Sequence, residues 1–225
     1  MIDARINAMI NFVTEGSRVA DIGADHGLLS IFLAKTKHVN FIVATDKNAG
    51  PLDAAKKNIS AAGLDDVIET RLGDGLQVLK AGEVDTVCIG GMGGALICKI
   101  LDDAPNVLDG LENLILQPMN AVEKLKTYLT KKNFFIADIE LAEAGGIIYE
   151  IIFASRSIEK ISAHKKFETS PLREKYFALK KEKLQRVLDE MSKSPAAMSS
   201  EKFLQIQNQI SNLTSTILET QLQKN

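Results

Sequence analysis

Two cysteines, Cys88 and Cys98, are all that the 225 residues contain. That is too few for a disulfide framework. The three histidines lie far from both in sequence, so neither a zinc site nor any other metal is expected. No apolar run approaches the roughly 18–20 residues that a membrane span requires, so no membrane partner is expected. The stretch Met1-Ile2-Asp3-Ala4-Arg5 lacks a charged region leading into an apolar core, and no signal peptide is expected. These absences together fit a reducing, cytoplasmic setting. Also missing is Gly-x-Gly-x-x-Gly, which disfavours a nicotinamide dinucleotide. No internal repeat is visible.

What the chain does contain is ordinary for a globular protein: 45% apolar and 25% charged residues. Its length suits one ordinary domain plus an appendage. The net charge of −2 hides an asymmetry, because residues 1–154 hold 14 Lys and Arg against 21 Asp and Glu, while residues 155–225 hold 13 against 8. A basic tail on an acidic body points toward a polyanionic partner, with a solvated helical face as the plainer alternative.

Hydrophobic periodicity places helices over 3–13, 28–34, 50–62 and 122–132, and around Leu96–Leu101. Apolar runs of strand length cover 18–23, 41–46, 67–72, 84–89 and 113–116. Two further strands, 134–141 and 147–154, are joined by Gly145-Gly146. That link is too short for a crossover helix, so the pair is antiparallel. The fold class expected is α/β, a Rossmann-like, mostly parallel sheet with an antiparallel last strand, as in class I methyltransferases. After Ser155 the pattern changes. Leu172, Tyr176, Leu179, Leu184, Val187, Leu188 and Met191 precede Pro195, and Phe203, Ile206, Ile210, Leu213 and Ile217 follow at coiled-coil spacing. Two domains are expected: a cofactor domain over 1–155 and a C-terminal antiparallel helical hairpin over 156–225.

Ligands of a parallel sheet sit beyond the carboxyl ends of its strands. The first strand ends in Asp21-Ile22-Gly23-Ala24-Asp25-His26-Gly27. Here Gly23 and Gly27 let backbone N–H groups approach a ligand, and a helix N-terminus adds a favourable dipole. Asp46, followed by Lys47, ends the second strand, placed to accept both hydroxyls of a ribose. Asp74 and Gly75 follow the third, placed to accept from an adenine amino group. Singly, each is ordinary turn or cap chemistry. Together, over three successive strands, they point to a nucleoside cofactor. Gly90, Gly91, Met92, Gly93 and Gly94 follow the fourth strand and clear side chains from a pocket for a planar acceptor, which Gln117 would help to read. A tight strand-to-helix turn is the alternative. Cys88 and Cys98 read as buried apolar residues, His38 and His164 as surface residues. His26 is open between a functional role and helix-start bonding.

The set Asp21-Ile22-Gly23-Ala24-Asp25-His26, Asn48-Ala49-Gly50-Pro51, Gly73-Asp74-Gly75-Leu76, Gly91-Met92-Gly93-Gly94, Leu114-Ile115-Leu116-Gln117-Pro118 and Tyr149-Glu150-Ile151 resembles the bacterial tRNA (adenine(22)-N1)-methyltransferase family. The likeness runs in order over residues 2–154 and less tightly over the tail. The chain departs at Leu28 and Ser30, where the family often has Tyr and Pro. It departs again at Met119, where an Asn often follows Gln-Pro; here Asn120 comes one residue later.

The resemblance implies an S-adenosylmethionine-dependent enzyme that methylates N1 of adenine 22 in the D-arm region of tRNA, with a C-terminal coiled coil helping to grip the tRNA. Asp21, Gly23, Asp25, Gly27, Asp46, Lys47, Asp74, Gly75, Gly90, Gly91 and Met92 are then expected at the cofactor. Gly93, Gly94, Gln117, Pro118, Asn120 and Arg5 are expected at the substrate. The product base is cationic, so a nearby carboxylate would stabilise developing charge; Asp25 is the first catalytic candidate and His26 the second. Lys160, Lys165, Lys166, Arg173, Lys175, Lys180, Lys181, Lys183 and Arg186 form a run of net charge +6 with Glu168, Glu174 and Glu182 counted, suited to phosphates. A monomer is expected, with a homodimer through the heptad seam kept open. The alternatives are a methyltransferase of the same fold acting on a protein or small molecule, and a non-catalytic interaction protein with a degenerate domain.

Overall fold

Apolar runs buried on both faces need helices above and below them, and the chain supplies both layers. A computed structural model describes residues 2–37, 39–157, 159 and 165–222. His38, Lys160 and His164 lie outside the described residues. The strands are β1 (Arg18–Ile22), β2 (Phe41–Asp46), β3 (Ile68–Leu72), β4 (Thr86–Met92), β5 (Asn113–Pro118), β6 (Phe135–Ala144) and β7 (Ile147–Ser155). The helices are α1 (Ala4–Phe12), α2 (Leu28–Thr36), α3 (Ala49–Ala61), α4 (Gly94–Asp102), α5 (Pro105–Asp109), α6 (Val122–Lys131), α7 (Lys166–Thr169), α8 (Arg173–Met191), α9 (Pro195–Met198) and α10 (Glu201–Leu222).

The seven strands form one sheet in the order β3-β2-β1-β4-β5-β7-β6. The pairs β1–β2, β1–β4, β2–β3 and β4–β5 are parallel, whereas β7 runs antiparallel to both β5 and β6. The expected sheet, with its antiparallel last strand, is therefore the one observed. Strand order reverses between β1 and β4, so the crevice for a ligand lies at their carboxyl ends.

One face of the sheet packs on α4, α5 and α6 through residues such as Ile22, Leu76, Ile97, Leu114 and Phe134. The other packs on α1, α2 and α3 through Met9, Leu33, Ala55, Ile59 and Ile115. Fully buried side chains such as Ile22 and Ile115 each contribute roughly 1.5–3 kcal/mol. Cys88 and Cys98 are both buried in these layers, as expected, and burial raises both thiols above their ordinary range.

Strand β4 runs three residues beyond its expected end and takes in Gly90, Gly91 and Met92. A bulge between Gly90 and Met92 lets the strand stay paired, Gly90 opposite Gln117 and Met92 opposite Pro118. The glycine cluster is thus half strand, half helix start.

The described residues divide into two compact units, Met1–Phe167 and Glu168–Asn225. In the second, α8 and α10 pack on one another as a helical hairpin, with α9 between them capped by Ser194, whose side chain accepts from the Ala197 N–H. Ile206 is its buried centre, and Leu184, Leu188, Ile210, Leu213 and Ile217 are half-buried. Leu179 and Val187, in the apolar series expected on the first helix, are exposed. A two-helix contact covers only a narrow stripe, and these two positions fall off it.

Candidate functional site

The turn after β1 is built from three left-handed residues in five. Gly23 (φ 74°), Asp25 (φ 51°) and Gly27 (φ 71°) fold the chain back sharply before α2. The Gly23 and Ala24 N–H groups both donate to the Thr45 carbonyl at 2.8 Å, which ties the turn to β2. Asp25 is one of the few non-glycine residue types that tolerate such a φ.

Beside this turn lies a cavity of about 310 Å³, reached by the ends of β1, β2 and β4 and by the loop after β3. Its lining includes Gly23, Asp25, Asp46, Lys47, Asp74, Gly75, Gly90, Gly91 and Met92, so nine of the residues expected at the cofactor come together here. Asp46 is buried. Its Oδ1 accepts the Asn48 N–H at 2.8 Å and its Oδ2 the Asp25 N–H at 3.4 Å, which fixes the carboxylate at the cavity wall. Thr45 also lines the cavity, and its buried hydroxyl oxygen has no hydrogen-bond partner among the described residues. An orphaned hydroxyl beside a fixed carboxylate suits a polar, hydroxyl-bearing ligand. Gly75 (φ 55°) keeps the cavity open: a Cβ there would lie 2.8 Å from Ile100 Cγ2. These donors and acceptors fit an S-adenosylmethionine-type group, with two acids for sugar and base, and no pyrophosphate loop.

A second cavity of about 210 Å³ adjoins the first. The two share Gly23, Asp25, Gly90 and Gly91, so only backbone and one carboxylate stand between them. Helix α1 provides one wall through Arg5, Ile6 and Met9; Asp21 and Gln117 lie deep in it, and Asp25 and His26 are exposed at its rim. Gly90 leaves room at this wall, since a Cβ there would lie 3.1 Å from Met9 Sδ and the methionine would have to give way. Gln117 is oriented by its Oε1, which accepts the Gly91 N–H at 2.8 Å. His26 Nε2 lies 3.8 Å from Asp25 Oδ1.

Asp21 lines this second cavity and not the first. It is buried, and its Oδ2 accepts the Ser30 hydroxyl at 2.7 Å. Burial pushes its carboxyl up to about 6, against the lowering effect of the Ser30 bonds. The departure at Ser30 thus gives Asp21 its partner.

Several expected residues lie elsewhere. Gly27 lines neither cavity: its N–H donates to the Ala24 carbonyl, and a Cβ would lie 3.2 Å from that of Ala55 in α3. Its left-handed φ of 71° and the approach of that helix both call for glycine. Gly93 sits against the Asn120 side chain, and Gly94 against the Asn120 and Ala121 carbonyls at 2.8 Å from a would-be Cβ. These two close the β4–α4 turn on the β5–α6 loop, the tight-turn alternative, and neither they nor Pro118 and Asn120 line either of these two cavities. Lys166 is engaged locally: its N–H donates to Asp138, its ammonium contacts Glu140 at 2.6 Å and lies over the Phe12 ring. Lys165 precedes α7. In the second unit, Arg173 lies over Phe177 and Lys180 over Tyr176, with Lys175 exposed on the same helix.

The sequence reading passed over Thr45, Asn48, Leu96 and Ile100 at the first cavity and Ile6 and Met9 at the second. Asn48 had a signal, its place two residues after Asp46. Ile6 and Met9 read only as the apolar face of a helix.

A family profile described as "Methyltransferase domain" matches residues 2–152. A curated Bacillus subtilis (strain 168) protein named "tRNA (adenine(22)-N(1))-methyltransferase" is 35% identical over 153 residues, 68% of this chain and 64% of that protein. The solved structure of the Streptococcus pneumoniae protein Sp1610 in complex with S-adenosyl-L-methionine has TM-score 0.81 and 28% identity, covering 96% of this chain and 100% of that one. M. capricolum TrmK, in complex with S-adenosyl-homocysteine, has TM-score 0.78 and 26% identity, covering 96% of this chain and 98% of that one. With the sheet order, the two adjoining cavities and a match over two thirds of its length, the chain belongs to the methyltransferase domain family.

Proposed function

We propose that this protein transfers a methyl group from S-adenosylmethionine to N1 of an adenine in tRNA, adenine 22 of the D-arm region. The observation that carries the reading is the pair of cavities that meet at Gly23, Asp25, Gly90 and Gly91. One has the acids for a nucleoside cofactor; the other has room and edge-reading groups for a base. The curated relative of the same named activity supports the position on tRNA.

The bound cofactor supplies an activated methyl group on sulfur. Asp46 would hold its ribose, Asp74 its adenine, and the backbone of Gly23 and Gly90 its remaining part. Adenine N1 carries a free lone pair at neutral pH, so no strong base is needed. The chain's task is alignment and exclusion of water. Gln117, fixed by Gly91, would read the base edge, and Asp25 at the junction would face the positive charge that develops on the base. His26, 3.8 Å from that carboxylate, would stand at the same junction. Turning the base out of the folded tRNA costs a few kcal/mol. Phosphate contacts from the basic residues of α8 would offset it, which makes the C-terminal hairpin the tRNA grip. A tRNA substrate supports a cytoplasmic setting.

The deciding measurement is methylation of unmodified tRNA transcripts with labelled cofactor, followed by mapping of the product. N1-methyladenine at position 22 is the expected result. Label on another base, or only on protein or a small molecule, overturns the reading.

A further inference from the structure

We propose that Asp3, Arg5 and Tyr149 form a preset clamp at the second cavity, in which the Arg5 guanidinium holds a backbone phosphate of the nucleotide whose base enters that cavity. The proposal rests on the tRNA reading above.

Arg5 lines the second cavity beside Ile6 and Met9. Its side chain is held from two directions. Asp3 accepts its Nε at 3.0 Å and its Nη2 at 2.8 Å, a side-on, two-point pairing. The Tyr149 ring lies under the guanidinium, 5.2 Å from its centre. No other hydrogen bond to the guanidinium occurs among the described residues, so its remaining N–H groups are left for a ligand.

Stability does not explain this arrangement. Both partners are about one-third exposed, at 30% and 31%, and an ion pair so placed contributes little. Nor does capping require an acid: Asp3 caps α1 by accepting the Arg5 N–H, which Asn would do as well. What the acid adds is a fixed plane for the fork. A flexible cation would lose rotamer freedom on gripping a ligand, whereas a guanidinium already locked by Asp3 and stacked on Tyr149 has that cost behind it.

The geometry also selects the ligand. A guanidinium edge offers only donors in a fork that matches two oxygens of a phosphate. Adenine presents no such pair of acceptors, and its N1 must face the junction with the first cavity. A flipped nucleotide pivots about its backbone, so its phosphates stay at the cavity entrance while the base goes in. A carboxylate would also fit the fork, and the cofactor carries one; Arg5 lines only the second cavity, which favours the phosphate.

The test uses the full chain with Arg5→Lys, Asp3→Asn and Tyr149→Leu, assayed on tRNA transcripts, with cofactor affinity measured by calorimetry without tRNA. Arg5→Lys keeps the charge and loses the fork; kcat/KM should fall about 10- to 100-fold. Asp3→Asn keeps the cap and raises the net charge. It should bind tRNA at least as tightly while kcat falls, a split that a merely structural or merely electrostatic role would not produce. A transcript with one methylphosphonate beside the target should slow the wild type by a larger factor than it slows Arg5→Lys. Wild-type rates for Arg5→Lys overturn the clamp. Cofactor affinity lost in Arg5→Lys reassigns the fork to the cofactor carboxylate and likewise overturns it. If the wild type methylates no tRNA, the functional reading falls first and the clamp with it.

Discussion

Asp21 and Asp25 stand four residues apart and do opposite work. Asp25 is exposed at the junction of the cavities, in a left-handed conformation that keeps its carboxylate beside both. Asp25→Asn preserves shape and removes charge. It should lower turnover about 100-fold while cofactor affinity changes little; equal losses in single-turnover rate and calorimetric affinity would make Asp25 a cofactor ligand only. Asp21 is buried, and its carboxyl titrates at about 6 in the folded protein against 3.8 ordinarily. A folded pKa above the unfolded one means that the native state binds the proton more tightly. Its contribution is therefore fully present below about pH 4, declines as pH rises to about 6, and is constant above. Asp21→Asn keeps an acceptor for Ser30 and removes that decline. Relative to the variant, the wild type should lose on the order of 3 kcal/mol of unfolding free energy between about pH 4 and 7. Denaturant melts across that range check it, and parallel curves for the two proteins would mean that Asp21 is not desolvated.

At the scale of elements, the connection from β4 to α4 fixes the crevice. Gly91 bonds Gln117, the Met119 N–H donates to the Met92 carbonyl, and the Gly94 N–H donates to the Asn120 carbonyl. Gly94→Ala would press a methyl group on two carbonyl oxygens that belong to backbone and cannot swing aside. It should cost about 1–3 kcal/mol of stability, read by thermal unfolding, because overpacking strains its neighbours. The sheet was legible in the sequence since its strands are continuous apolar runs, and Asp46 and Asp74 were legible since acids at strand ends are few. The roles of the glycines were not. Gly75 serves a cavity, Gly27 a neighbouring helix and Gly94 a neighbouring loop, and the residue looks the same in all three. Nor could periodicity tell that the apolar face of α1 is partly core and partly pocket wall, as Met9 is both. The exposure of Leu179 and Val187 has the same cause: spacing gives a stripe but not its width.

For the whole molecule, the division of charge carries the prediction. Residues 1–167, which form a compact unit and retain the contacts of Lys166 with Asp138 and Glu140, should fold and bind the cofactor as the full chain does. They should fail to methylate tRNA, since the cations of α8 are gone. Undiminished activity in that fragment would remove the hairpin from substrate binding. In the full chain, tRNA affinity should fall steeply with salt, with a log–log slope set by the number of phosphates contacted. The placement of Met92 has a practical side. Its methyl group lies in the wall of the first cavity, where a Cβ on Gly23 would be only 2.3 Å away, and Gly23 lines both cavities. A single isotope-labelled methyl there is a built-in spectroscopic witness. Its resonance should shift once when the methyl donor enters and again when the nucleic acid arrives, so the order of loading can be watched directly without attaching a foreign dye.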